Sequence, residues 1–150
     1  MSDSPLKSRL QSDMKSSMKS GEKGRLLVIR LMLAAIKQIE VDERIELDDA
    51  RVTSVLDKMC KQRRESIEQF SGAGRDDLVA IESTELEIIG EYLPEALSDA
   101  EITKLVGQAI NDTGAESIRQ MGSVMNILKP RLQGRADMGK VSQLVKSKLV

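Results

Sequence analysis

The sequence predicts an all-α protein, with an N-terminal bundle of about four helices organised on a long helical hairpin and a small three-helix C-terminal tail. Three observations carry this. Apolar residues recur at three- and four-residue intervals, no segment sustains the alternation of a strand, and Gly, Pro, Ser and Asp fall where helices would stop and start. The two parts are expected to meet at residues 93–97, giving domains 1–94 and 95–150.

Ser4 before Pro5 is a helix start, an N-cap with proline at the first helical position. Leu6, Leu10, Met14 and Met18 then form a narrow apolar stripe, and Gly21 and Gly24 end the helix. The second helix begins near Arg25 and carries Leu26, Leu27, Ile29, Leu31, Met32, Leu33, Ile36 and Ile39. Apolar around most of its circumference, it is expected at the centre of the first bundle, buried within one chain or across a dimer. Asp48 and Asp49 suit the N-terminal turn of the third helix, whose partial positive charge favours carboxylates.

The hairpin runs from Val52 to Pro94. Val52, Leu56, Met59, Cys60, Ile67 and Phe70 precede the turn at Gly72 and Gly74, and Leu78, Ile81, Ile88, Ile89 and Tyr92 follow it. Antiparallel pairing about that turn sets Phe70 opposite Leu78, Ile67 opposite Ile81 and Leu56 opposite Tyr92. The same register sets Arg63 opposite Glu85. Each interrupts its own apolar stripe, so the two charges are expected to form a buried ion pair that fixes register and performs no chemistry.

Pro94 is expected to stop the fourth helix. Ser98 and Glu101 have capping-box spacing for a fifth helix carrying Ile102, Leu105, Val106 and Ile110 and ending at Gly114. Met121 to Leu128 is helical, with Pro130 expected to kink or restart it. Gly134 to Asp137 makes a turn, Asp137 caps the last helix, and Val141, Leu144, Val145 and Leu149 form its buried face.

Composition excludes several chemistries. There is no histidine, which removes the usual neutral-pH base and histidine-dependent nucleophilic and zinc sites. A single cysteine, Cys60, rules out an intrachain disulfide and reads as a buried hydrophobe. No catalytic residue, metal site or cofactor is expected. The segment from Met1 to Lys7 lacks a signal peptide's apolar core, and apolar runs such as Leu31 to Ile36 are too short to span a bilayer. These features predict a soluble cytoplasmic protein without membrane contact. Charge is uneven: residues 1–94 hold 15 basic and 18 acidic side chains, whereas from Arg119 onward seven basic residues face Asp137 alone. Lys129, Arg131, Arg135, Lys140 and Lys146 surround one turn and are candidate RNA-binding residues, suited to phosphates, with an ordinary solvated basic face as the alternative reading of the same residues. With no aromatic residue in the tail, base stacking is an unsuitable mode.

Six separated segments carry a family resemblance: LLVIRLMLAAIK (26–37), KQRRESI (61–67), AGRDDL (73–78), EYLPEAL (91–97), MGSVM (121–125) and GRADMGKVSQLV (134–145). Together they resemble the YqeY-like proteins over nearly the whole chain. The tail is similar to that of the B subunit of the tRNA-dependent amidotransferase, where the corresponding segment holds tRNA. The resemblance implies a non-catalytic module that contacts tRNA, working with an aminoacyl-tRNA synthetase or a tRNA amidotransferase. One departure is Asp137-Met138, where the amidotransferase tail commonly has Asn-Pro. An alternative class is a protein-interaction adaptor using Lys61-Gln62-Arg63-Arg64 or the stripe of the first helix. A third is a carbon–nitrogen ligase with glutamine as amido-N-donor. It ranks last because there is no histidine, no phosphate-binding glycine loop and no activated nucleophile.

Overall fold

A computed structural model describes residues 4–149, so the first three residues of the segment tested for a signal core lie outside it. The described residues are helical throughout, with no strand among them: α1 (Pro5–Ser20), α2 (Lys23–Glu43), α3 (Asp49–Gly72), α4 (Asp76–Gly90), α5 (Asp99–Thr113), a 3-10 turn (Ile118–Gln120), α6 (Met121–Leu132) and α7 (Met138–Lys148). The chain divides into two compact units after Leu93.

In the first unit local chemistry sets the helix ends. The Ser4 hydroxyl accepts from the Lys7 amide and Asp48 accepts from the Arg51 amide, so both helices begin on side-chain caps. Gly21, with φ of 76°, ends α1 in the left-handed region that glycine tolerates. Gly24 does not help end α1, as expected from the sequence, but lies in the first turn of α2, where an exposed glycine causes little disruption. Likewise α4 ends at Gly90, ahead of Pro94, because residues 91–93 close as a turn on the carbonyls of 87–90. The core is aliphatic: Leu10 from α1, Ile29, Met32 and Ile36 from α2, Val52 and Leu56 from α3, and Ile89 from α4.

The α3–α4 hairpin brings Arg63 Nε to 3.3 Å from Glu85 Oε2, with side chains 15% and 18% exposed. Ile81, expected opposite Ile67, is 57% exposed. It shares a groove with Gly24 of α2, and a glycine offers no side chain to cover it.

Tyr92 closes the base of this unit. Its hydroxyl donates to Asp13 Oδ2, the Arg9 guanidinium lies 4.5 Å from its ring centroid, and Arg25 pairs with the adjacent Glu91 at 2.7 Å. Burial, followed by the Asp13 hydrogen bond and charge, pushes the phenol up to about 12. Since Tyr92 is the chain's sole tyrosine, its absorbance titration reports this group alone. Phenolate formation is expected near pH 12 in the folded protein and near 10 in denaturant. A folded value raised above the unfolded one contributes stability below pH 10 that is lost as pH rises toward 12. Coincident titration curves in the two states would contradict this.

The second unit has its own core of Val106, Ala109, Val124, Leu128, Leu132, Val141 and Val145. Ser98 accepts from the Glu101 amide to open α5, and Gly114, with φ of 66°, closes it. Pro130 neither breaks nor restarts α6, which continues to Leu132. The ring removes one N–H from the last turn, which leaves the carbonyl of exposed Asn126 to water, at smaller cost than a mid-helix proline. The turn after α6 is tied to the start of the unit by the Leu97 amide donating to the Arg135 carbonyl at 2.9 Å.

Candidate nucleic-acid interface

The five basic residues of the tail lie around the α6–α7 turn. Lys129 and Arg131 occupy the last turn of α6, Lys140 the first turn of α7 and Lys146 its last turn. All four are exposed, whereas Arg135, in the turn itself, is half-buried. Among the described residues no carboxylate lies within ion-pair distance of any of the five. Their charges are therefore available to solvent anions.

The five do not share one face. At 100° per residue, Lys129 and Arg131 stand about 160° apart around α6, flanking the buried Leu128 on opposite sides. Lys140 and Lys146 are about 120° apart around α7, on either side of Val141 and Val145. One phosphate backbone can therefore meet only a subset, at most one flank of each helix together with the turn. Arg135 is also a strut, its Nε donating to the Glu95 carbonyl at 3.3 Å.

Asp137 stands at the local departure in sequence. Its side chain accepts from the Gly139 amide at 2.9 Å and caps α7. That carboxylate sits where an anion would otherwise meet the helix N-terminus, so backbone capture of a phosphate is disfavoured there. The lysine and arginine side chains are then the groups at this turn suited to an anion.

Lys61, Gln62 and Arg64 are exposed on α3, but Arg63 turns inward to Glu85, and its Nη1 donates to the Met59 carbonyl at 3.4 Å. The first-helix stripe is not a free surface: Leu10 is fully buried, Leu6 and Met14 pack on the core, and Met18 alone is exposed. Cys60 is buried, and desolvation pushes its thiol up, away from thiolate chemistry. No three of His, Cys, Asp and Glu form a metal-binding group among the described residues, nor is any described helix long and apolar enough to cross a membrane. The Arg9–Asp13–Arg25–Glu91 cluster around Tyr92 escaped sequence reading, because it forms only where α1, α2 and the end of α4 meet.

Residues 7–149 match the family model described as Yqey-like protein. Similar curated proteins are named "Altered inheritance of mitochondria protein 41, mitochondrial". The one from Pyrenophora tritici-repentis (strain Pt-1C-BFP) is 33% identical over 85% of this chain and 71% of its own length. That from Clavispora lusitaniae (strain ATCC 42720) is 38% identical over 73% and 65%, and that from Eremothecium gossypii is 38% identical over 67% and 55%. The chain thus spans between about half and 71% of these relatives. Their names correct the expectation of a cytoplasmic protein, since each is described as mitochondrial. That expectation rested on the lack of a secretory apolar core, a test blind to the amphipathic, acid-poor segments that address mitochondria.

Proposed function

This chain belongs to the YqeY-like family, and on that premise we propose that it is a non-catalytic helical module whose basic C-terminal unit contacts tRNA beside an aminoacylation or amidation enzyme. The observation that carries the reading is the set of exposed, unpaired cations Lys129, Arg131, Lys140 and Lys146 in a segment with almost no acid. They suit phosphate contact, which positions a nucleic acid without reading its sequence. The absence of histidine and of an activated nucleophile favours a binding role over catalysis.

The test is binding of the purified protein to bulk tRNA across a salt series, beside a variant carrying Lys129→Ala, Arg131→Ala and Lys140→Ala. Arg135 is left intact because its side chain holds the turn. Because the cations are split between flanks, about three phosphate contacts are expected, giving a log–log slope of roughly −2 to −3. Loss of binding in the variant, with its helicity retained, is the expected result. No binding of the parent protein at low salt would remove the proposal.

A further inference from the structure

The first unit leaves uncovered an apolar groove of about 390 Å³ between α2 and α4, lined by Gly24, Leu27 and Val28 on one side and Ile81, Thr84 and Ile88 on the other. Leu27 and Ile81 are 56% and 57% exposed, and Leu31, one turn beyond Leu27, is exposed too. Large aliphatic side chains clustered in this way mark a contact surface. Leu27, Leu31, Ala34, Gln38 and Val41 alternate four- and three-residue steps along the outside of α2, the spacing of a helix-packing seam.

The charges beside the groove say what covers it. From residue 23 to 37, α2 carries Lys23, Arg25, Arg30 and Lys37 and no acid, while α4 carries Asp76, Asp77, Glu82, Glu85 and Glu87 and no base. Arg25, Asp77 and Glu85 are committed to neighbours within the unit. Lys23, Arg30 and Lys37, seven residues apart, remain in one exposed line on the side of Leu27 away from buried Val28. On α4, exposed Asp76 and Glu87 flank Ala80 on the side away from buried Ile89. The groove therefore has one basic rim and one acidic rim.

We propose that a second copy of this chain covers the groove, with α2 of each copy laid on α4 of the other. A two-fold axis along the groove exchanges its walls, so each basic rim meets the partner's acidic rim and Leu27 of one copy enters the groove of the other. A contact made by one patch on itself closes as a dimer. The perpendicular two-fold, which stacks α2 on α2, sets lysine and arginine against their own kind and is opposed by charge. A foreign helix of a single sign satisfies only one rim.

The test is sedimentation equilibrium of the full chain from micromolar to millimolar concentration. The parent is expected to reach twice the mass of one chain, and Leu27→Lys with Ile81→Lys to remain at the mass of one. Both positions are more than half exposed, so circular dichroism should show unchanged helicity. Arg30→Glu and Glu87→Lys, each alone, are expected to weaken association about tenfold, and their combination to recover it, because the reversed charges meet across the interface. These exposed charge variants keep the test valid should the lysine pair disturb folding. A single-chain mass for the parent at every concentration would leave the groove to a different protein and overturn the proposal. So would a dimer that survives the lysine pair, or a combined charge variant that does not recover.

Discussion

Glu40→Leu is expected to lower the stability of the N-terminal unit by about 2–4 kcal/mol in denaturant unfolding. The residue is 7% exposed, and both carboxylate oxygens are engaged: Lys7 Nζ donates to them at 2.8 and 2.9 Å, and the Leu47 amide donates to Oε2 at 2.9 Å. One side chain thereby ties α1, α2 and the α2–α3 connection. Leucine approximates the volume of glutamate, so the cavity term is small and the loss is polar. The Leu47 amide would be left unpaired beside a fully buried side chain, at about 1–3 kcal/mol. Lys7 reaches solvent more easily and contributes less.

The same site sets an acid dependence. The Lys7 hydrogen bond, ahead of the Leu47 amide and against burial, holds the Glu40 carboxyl below the usual range. A folded value below the unfolded one contributes stability at neutral pH. That contribution is lost as pH falls below about 4.3 and through the lowered folded value. Unfolding of the parent and Glu40→Gln at pH 7 and pH 3 should show a wide gap at pH 7 that narrows at pH 3. An equal gap at both pH values would remove the linkage.

Helix starts were legible because a cap is a local event: Ser4-Pro5, Asp48, Ser98 with Glu101, and Asp137 each need only the next two or three residues. Contacts between α1 and later elements were not. Lys7 and Glu40 are 33 positions apart, and Tyr92 and Asp13 are 79 apart, so neither pairing follows from spacing within one helix. The exposure of Ile81 was hidden for a related reason. The hairpin fixes what α4 shows to α3, but Gly24 of α2 decides whether the other flank is covered. In the tail, composition revealed the basic excess, while the division of Lys129 from Arg131 lies in their two-residue spacing on a helix, which charge counting ignores. The mitochondrial description came from the names of relatives, and an apolar-core test does not bear on mitochondrial addressing.

Arg63 and Glu85 give the second large effect. Arg63→Met is expected to cost about 2–3 kcal/mol, below the about 3–5 typical of a fully buried broken pair, because 15–18% of each side chain still reaches water. The contact is close but off-line: Arg63 Nε has no hydrogen-bond partner although Glu85 Oε2 is 3.3 Å away. The attraction is therefore mainly charge on charge, in a seam otherwise packed by apolar side chains. That makes the cost of one substitution largely the cost of stranding the other charge. Glu85→Leu should strand Arg63 in the same way, whereas the combined Arg63→Met and Glu85→Leu chain should recover about 1–2 kcal/mol relative to the sum of the singles. Additive losses across the cycle would show that the two residues act independently. Strong coupling would instead identify the pair as a register device: a slip of one residue between α3 and α4 sets Arg63 opposite Thr84 or Leu86 and Glu85 opposite Gln62 or Arg64, which breaks the pair, and the hairpin excludes that slip at modest net stability.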